Sequence, residues 1–168
     1  MIIAPLRIAG LAEAAAFVND CWRAAYAEIL DRAFLDGLTT QGRREILARK
    51  LDSGLSGEVA RDDDGAMLGI VLHGPTHLRL LGDAGEINML YVRPDRIGTG
   101  LGHALFAGAE RALCGQGYTT LGLDVFSANA PAIAFYVAHG YRRVGGKVDV
   151  IDGREYELDI MAKRVETS

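Results

Sequence analysis

The segment from Glu86 to Phe126 constrains the fold more than any other, because its pattern predicts a strand, a glycine-rich turn, a helix and a second strand in that order. The first strand is GEINMLYV, which ends before Pro94. After the run IGTGLGHAL, apolar residues at helical spacing continue to Gly115, a residue type that often ends helices. The second strand is TTLGLDVF. Strands joined through a helix in this way run parallel, with a right-handed connection.

The rest of the chain completes a mixed α/β pattern. We expect a first strand near the N-terminus, a helix from about Leu11 to Leu30 and another from about Arg43 to Leu51. Strand hairpins are predicted to turn at Asp64-Gly65 and at Asp152-Gly153. Pro131 is suited to the first position of a further helix.

Bulk properties exclude several classes of protein. Eighteen Lys and Arg against 22 Asp and Glu give a net charge of -4, which offers no global attraction to nucleic acid or anionic membranes. Cys21 and Cys114 have neither CxxC nor metal-ligand spacing, so we predict two buried thiols and no metal site. No apolar stretch approaches the roughly 18 residues of a membrane span, and the N-terminal run is too polar for a secretory signal. We therefore expect one cytoplasmic domain over residues 1–168.

Glycine occupies 21 of 168 positions, and three of these lie together at Gly98, Gly100 and Gly102, between the strand and the helix. Glycines there let the backbone approach an anion, and the N–H groups of a helix start receive it, which suits a pyrophosphate. Dinucleotide and ATP signatures are disfavoured, since GxGxxG needs glycine where this chain has His103 and a P-loop needs GK before Ser or Thr. Taken alone, the run is equally typical of a tight helix entry.

Glycines inside strands, such as Gly69, indicate close approach of another segment.

The block VRPDRIGTGLGHAL resembles the acetyl-CoA motif of the GNAT N-acetyltransferase superfamily, V-x-P-x-x-[Q/R]-G-x-G-[I/V/L]-G-x-x-L. A second block, LDVFSANAPAIAFYVAHGY, is similar to the family's next motif, and the specific resemblance covers residues 86–141. It implies the GNAT acyl-CoA N-acyltransferase fold: a central, mostly antiparallel sheet with one parallel strand pair, flanked by helices. The implied activity is transfer of an acetyl group from acetyl-CoA to a primary amine, by direct attack in a ternary complex.

The resemblance also implies which residues bind acetyl-CoA. It assigns the pyrophosphate to the loop and the first helical turn, namely Ile97, Gly98, Thr99, Gly100, Leu101, Gly102 and His103. It assigns the thioester and pantetheine arm to the backbone of Leu90, Tyr91 and Val92, and further cofactor contacts to Asn129 and Tyr136. Ile97 replaces the family's usual Gln or Arg, so we expect backbone N–H groups to bind the pyrophosphate, with Arg93 or Arg96 as the side chains able to help.

Two side chains are expected to move protons. A lysine-like amine with a pKa of about 10.4 is only ~0.04% neutral at pH 7, so a positioned base is useful. The resemblance places this base at Glu86, and because residues 86 and 90 of a strand are about 13 Å apart, we expect a water chain past Asn88. The alternative is a solvated carboxylate at a strand end. The acid is placed at Tyr136, whose phenol protonates the leaving thiolate; the alternative is a core aromatic beside Phe135.

The acceptor is less constrained. Trp22 and Tyr26 lie on adjacent turns of the first helix, in a region that borders the acceptor groove in this family, and together with Asn88 they are the candidate substrate contacts. For Trp22, packing in the helix core is the alternative. Three histidines, His73, His77 and His139, have no partner pattern and receive no role.

Three hypotheses about function stay open. Chain size favours a small-molecule amine as acceptor over a peptide or protein amine. A non-catalytic acyl-CoA-binding sensor on the same fold is the alternative from another class. Homodimers are common in the family, although no feature of the sequence specifies one.

Overall fold

A computed structural model describes residues 1–166, over which the chain forms seven β-strands and five α-helices. The strands are β1 (Ile2–Pro5), β2 (Ser56–Arg61), β3 (Met67–Pro75), β4 (Gly85–Val92), β5 (Thr120–Phe126), β6 (Arg142–Ile151) and β7 (Arg154–Arg164). The helices are α1 (Leu11–Ala25), α2 (Arg32–Asp36), α3 (Thr40–Asp52), α4 (Leu101–Gly115) and α5 (Ala130–Ala138). The predicted α/β class is confirmed.

The strands form one sheet in the order β1-β2-β3-β4-β5-β7-β6. β4 and β5 are parallel, with Gly85 opposite Leu121 and Glu86 opposite Gly122. β1 with β2, β2 with β3, β5 with β7 and β6 with β7 pair in antiparallel fashion. The predicted parallel pair, connected through α4, is confirmed in a mostly antiparallel sheet.

The first helix is shorter than predicted. α1 ends at Ala25 rather than near Leu30, and the short helix α2 follows separately. Ile29 and Leu30 continue the helical spacing in the sequence, but their N–H groups both donate to the Tyr26 carbonyl, at 3.0 and 2.9 Å, in a turn. Leu30 is buried even though it lies in a turn. The apolar spacing up to Leu30 therefore fits both a turn and a longer helix.

Two other helices begin slightly before the predicted residues. α3 begins at Thr40 because the Thr39 hydroxyl accepts the Gly42 N–H at 3.1 Å and caps the helix. α5 begins at Ala130, with Pro131 as its second residue.

The chain divides into two compact units. Unit 1 comprises Met1–Gly74 and Met89–Ala109, and unit 2 comprises Pro75–Asn88 and the chain from Glu110 onward. The single domain over residues 1–168 stays a prediction, and its residues 167 and 168 lie outside the described part of the chain.

The core of unit 1 packs α1 and α3 against β2 and β3. α1 contributes buried residues at helical spacing, Leu11, Ala14, Ala15 and Val18, and the strands contribute Val59, Met67, Ile70 and Leu72. A Cβ built at Gly69 of β3 lies 2.7 Å from the Leu105 side chain of α4 and 3.2 Å from the Tyr91 carbonyl. The predicted close approach at this strand glycine is therefore confirmed.

Unit 2 is built around β5 and the β6–β7 hairpin. Its buried strand residues include Leu121, Leu123, Val125, Leu158 and Ile160. The hairpin turns at Asp152 and Gly153, whose φ angles of 51° and 77° are those of the predicted two-residue turn.

The two cysteines differ in burial. Cys21 is buried, and burial together with the charge of Asp20 raises the pKa of its thiol to about 12. Cys114, in the last turn of α4, is only half-buried, so the prediction of a buried thiol is wrong for this residue.

Within residues 1–166, no group of three or more His, Cys, Asp or Glu side chains is placed to hold a metal ion. Over the same described range, no helix is both long and apolar enough to cross a membrane.

Candidate active site

The glycine run forms the turn between β4 and α4 in unit 1. Gly98 and Gly100 have φ angles of 82° and 89°, in the left-handed region that glycine adopts without a Cβ clash. Nothing lies within 4 Å of a Cβ built at either position, so backbone conformation and not crowding requires glycine. The Thr99 N–H and hydroxyl both donate to the Arg96 carbonyl, at 3.3 and 2.5 Å, which closes the turn.

α4 opens directly after this turn, and the Ala104 N–H donates to the Gly100 carbonyl at 3.0 Å. The helix begins at Leu101, and the first N–H groups of an α-helix have no carbonyl one turn earlier within the helix to accept them. Residues 97–103, predicted to bind the pyrophosphate, all lie in this loop and first turn. Backbone donors and the positive end of the helix dipole make this place suitable for an anion.

Two side chains beside the loop, those of Ile97 and Arg93, add little to this anion site. Ile97 is 71% exposed and apolar. The Arg93 guanidinium is paired with Asp95, Nε to Oδ1 at 2.6 Å, so its charge is already balanced in part. Arg96, the other arginine expected to help, is exposed beside the loop.

The end of β4 holds the residues whose backbone is predicted to bind the thioester and pantetheine arm. Leu90, Tyr91 and Val92 are all half-buried. The Val92 carbonyl lies 3.8 Å from the Cys21 Sγ, and the Arg93 N–H donates to the Leu68 carbonyl at 2.8 Å. These contacts within unit 1 fix the strand end just before the glycine loop.

Glu86, the predicted base, lies in unit 2 with its side chain only 2% exposed. The alternative of a solvated carboxylate at a strand end is therefore wrong. The Thr76 hydroxyl donates to its carboxylate at 2.9 Å and the Asn88 amide at 2.6 Å. His77 approaches with its backbone N–H at 3.4 Å and its Nδ1 at 2.9 Å.

His77 reaches Glu86 because the segment after β3 folds back on itself. The Thr76 N–H donates to the Ala84 carbonyl at 3.0 Å, and Arg79–Leu81 form a 3₁₀ turn between them. The sequence interpretation gave His77 no role, since no periodicity links it to Glu86. The signal that was available is the short connection between two strands, which brings the residues at its ends together.

The electrostatics favour a carboxylate paired with an imidazolium. Burial alone raises the pKa of Glu86, but hydrogen bonds from His77 and Asn88 outweigh it and hold that pKa below its ordinary value. The hydrogen bond with Glu86 raises the pKa of His77. Asp124 adds to this rise and Lys147 opposes it, and these two residues pair with each other at 2.6 Å. Because the His77 side chain is 57% exposed, a buried carboxylate holds an imidazole that solvent reaches.

α5 carries the two remaining predicted residues of unit 2. Asn129 caps the helix, since its side-chain oxygen accepts the Ala132 N–H at 3.3 Å. Tyr136 is half-buried, and its ring lies 5.5 Å from that of Phe135 in an edge-to-face arrangement. None of the residues of α5 is fully buried, which distinguishes Tyr136 from a closed core aromatic.

The predicted acceptor residues separate into two groups. In unit 1, the Trp22 and Tyr26 rings are 5.1 Å apart, and the Tyr26 hydroxyl is 2.9 Å from that of Tyr91. Trp22 also packs against the core, as the alternative interpretation proposed, and the Arg43 guanidinium carbon is 4.1 Å from its ring centroid. Asn88 instead lies in unit 2, where its side-chain amide donates to the Glu86 carboxylate. Arg43 was not predicted, because the spacing within α1 does not reveal which side chains of α3 meet it.

Comparisons with known proteins show which family and fold the chain resembles. The model of the Acetyltransferase (GNAT) family matches residues 19–141. The uncharacterized N-acetyltransferase YuaI of Bacillus subtilis (strain 168) is 31% identical over 126 residues, which cover 74% of this chain and 70% of that protein. A mycothiol acetyltransferase of Clavibacter michiganensis subsp. michiganensis is 37% identical over 84 residues, 50% of this chain but only 26% of that protein. The PaiA N-acetyltransferase from Thermoplasma acidophilum, crystallised with coenzyme A, aligns over 98% of this chain and 100% of its own, with a TM-score of 0.70 at 20% identity.

The fold and these relatives define an acyltransferase enzyme. The chain belongs to the GNAT acetyltransferase family, as the two motif blocks predicted.

Proposed function

We propose that the protein transfers an acetyl group from acetyl-CoA to the primary amine of a small molecule, by direct attack within a ternary complex. The observation that carries this proposal is the buried Glu86 carboxylate that holds an exposed His77 imidazole. Burying the Glu86 charge costs free energy. Catalysis explains this cost, because the acceptor amine must lose a proton before it attacks and the carboxylate holds the imidazole that takes this proton. A protein that only senses acyl-CoA needs no such proton acceptor.

Acetyl-CoA is assigned to the glycine loop and the end of β4. When bound, it supplies the thioester that gives up its acetyl group. The N–H groups of residues 98–103 take the pyrophosphate at the positive end of the α4 dipole. The backbone of Leu90, Tyr91 and Val92 holds the thioester and pantetheine arm, and Asn129 makes a further contact from the start of α5. The coenzyme A bound to the PaiA relative supports this assignment.

His77 takes the proton from the amine, and Glu86 positions it. Deprotonating a lysine-like ammonium at pH 7 costs about 4.6 kcal/mol, which makes a base useful. Nδ1 of His77 is bound to Glu86, so Nε2 accepts the proton, and the carboxylate stabilises the imidazolium that forms. In this proposal the imidazole replaces the water chain past Asn88 that the sequence predicts.

Tyr136 supplies the acid. The amine nitrogen forms a bond with the acetyl carbon, the carbon–sulfur bond breaks, and the thiolate takes the phenol proton of Tyr136. The phenolate regains its proton through solvent from the nitrogen of the new amide, and the His77 imidazolium releases its proton to solvent. No covalent acetyl-enzyme is required, and the raised pKa of Cys21 makes that thiol a poor nucleophile.

Release of free CoA thiol tests the proposal. Acetyl-CoA is incubated with the protein and a panel of amines, polyamines, amino acids and N-terminal peptides. We expect release that depends on the amine, fastest with small acceptors, and a higher melting temperature with acetyl-CoA alone. Stabilisation by acetyl-CoA without release from any amine identifies a sensor, and the absence of both overturns the cofactor assignment.

The cytoplasmic location and the homodimer stay predictions. Light scattering coupled to size-exclusion chromatography tests the homodimer.

A further inference from the structure

Arg43 of α3 carries a buried charge in unit 1. The residue is 6% exposed, and burial lowers the pKa of its guanidinium, while the ionisable neighbours that oppose this shift are the phenols of Tyr91 and Tyr26. Within residues 1–166 no carboxylate forms an ion pair with it. Its Nε donates to the side-chain oxygen of Asn19 at 3.0 Å, and the Asn19 amide donates to the Thr39 carbonyl at 3.0 Å. A neutral amide does not balance a guanidinium, and buried charges are normally paired.

A second donor in the same place has no acceptor. The indole N–H of Trp22 is buried and has no hydrogen-bond partner in the described part of the chain. The Trp22 ring stacks 4.1 Å from the Arg43 guanidinium carbon. Asn19, Trp22, Tyr26, Arg43 and Tyr91, called here the Arg43 cluster, thus hold a positive charge and an excess of donors. An anion with acceptor oxygens would balance the charge of Arg43 and accept the indole N–H of Trp22.

The Arg43 cluster adjoins the strand residues assigned to the acyl donor. Tyr91 lies between Leu90 and Val92 in β4, and its hydroxyl is 2.9 Å from that of Tyr26. One residue therefore contributes its backbone to the proposed thioester site and its side chain to the cluster. The phosphates of acetyl-CoA are assigned to the glycine loop. An anion beside the thioester therefore belongs to the acceptor.

We propose that the Arg43 cluster binds the carboxylate of the acceptor, so that the enzyme acetylates an amino acid. The inference rests on the proposed function and names its substrate class. The planar fork of a guanidinium matches the two oxygens of a carboxylate. The aromatic rings of the cluster suit the apolar part of such a substrate. A phosphate fits the same fork, so binding of inorganic phosphate in preference to a carboxylate is one of the outcomes that overturn the proposal.

Matched substrates test the proposal through turnover. For each amino acid that is acetylated, kcat/KM is compared with that of its amide and of its decarboxylated amine. Wild-type protein is expected to favour the free acid by about 10- to 100-fold, the effect of a charge-assisted contact. Arg43→Gln should reduce this preference to about onefold by raising KM for the acid, while kcat/KM for the amide falls much less than kcat/KM for the acid. Arg44→Gln, an exposed neighbour on the same helix, is the matched control and should keep the preference.

Fluorescence tests the proposal without turnover. Trp22 is the one tryptophan of the chain and contacts Arg43, so its emission reports on the cluster. An amino acid should change the emission of wild-type and Arg44→Gln proteins in a saturable way, and should not change that of Arg43→Gln. Inorganic phosphate at the same concentration should have a smaller effect.

Several outcomes overturn the proposal. One is the absence of a saturable change with all twenty free amino acids, and another is tighter binding of phosphate than of any carboxylate. A third is an Arg43→Gln protein that melts at a lower temperature and loses acid and amide turnover in equal measure, since that is the behaviour of a structural residue. Saturable binding that depends on Arg43, with no CoA release from any amine, instead supports the carboxylate site and contradicts the proposed function.

Discussion

At the scale of single residues, His77 and Glu86 divide the task of accepting a proton. A carboxylate whose pKa is held below its ordinary value has little tendency to take a proton from an ammonium group. An imidazole whose pKa is raised by that carboxylate is better matched to this task near neutral pH. Burial of Glu86 and exposure of His77 are therefore complementary features of one device.

Replacing His77 separates its role from that of a surface histidine. His77→Gln should lower kcat/KM for the amine roughly 100-fold, the usual contribution of a general base, while acetyl-CoA affinity stays unchanged. Because only neutral His77 accepts a proton and its pKa is raised above 6.5, wild-type kcat/KM should increase with pH above that value. In wild-type protein this increase should level off above the folded pKa of His77, whereas kcat/KM of the variant should keep rising with pH as the amine itself loses its proton. An identical pH profile for the two proteins would exclude His77 as the base.

Tyr136→Phe tests the acid. Removing the hydroxyl leaves the ring and its contact with Phe135 in place, so acetyl-CoA affinity should change little while kcat falls by roughly 10-fold or more. Steady-state kinetics with acetyl-CoA varied separates the two effects. Tyr156→Phe, a half-buried tyrosine of β7, is the control and should keep full kcat. An unchanged kcat for Tyr136→Phe removes this residue from the mechanism.

At the scale of elements, the glycine loop presents backbone donors because two of its residues adopt positive φ. Gly100→Ala forces a side chain into this conformation at about 1–2 kcal/mol and should weaken acetyl-CoA binding as well as stability. Gly65→Ala is a matched control, since Gly65 also has a positive φ, 86°, and open space around its Cβ. Calorimetry should show similar loss of stability in both variants but weaker acetyl-CoA binding only in Gly100→Ala. Equal acetyl-CoA affinity in the two variants would contradict the loop assignment.

The elements differ in how well the sequence predicts them. The strand, loop and helix from Gly85 to Gly115 are predictable, because glycine spacing and apolar periodicity are local signals. The end of α1 at Ala25 is not, because Leu30 is buried whether it lies in a helix or a turn. The contacts His77–Glu86 and Arg43–Trp22 join separate elements, and no spacing along the chain encodes them.

At the scale of the whole molecule, the Glu86–His77 pair makes stability depend on pH. The carboxylate has a lowered pKa, so its contribution is present above about pH 4.5, its ordinary value, and is lost as pH falls through the folded pKa. The imidazole has a raised pKa, so its contribution is complete below 6.5 and is lost as pH rises through the folded pKa. Both contributions are present together between these two values.

Thermal unfolding as a function of pH checks this dependence. The difference in melting temperature between wild-type protein and Glu86→Gln should be largest between about pH 4.5 and 6.5 and should narrow on both sides. Glu28→Gln, at an exposed position, is the control and should change the melting temperature little. A flat difference for Glu86→Gln would show that the pair is not ionised in the folded protein.

The central claim is that the enzyme passes an acetyl group directly from acetyl-CoA to an amine. The most direct measurement is intact-protein mass spectrometry during CoA release, with acetyl-CoA added in the presence and absence of an accepted amine. We predict CoA release only when the amine is present, an amine product heavier by one acetyl group, and a protein mass that does not change. Release without amine, accompanied by an acetyl group bound to the protein, would contradict the claim.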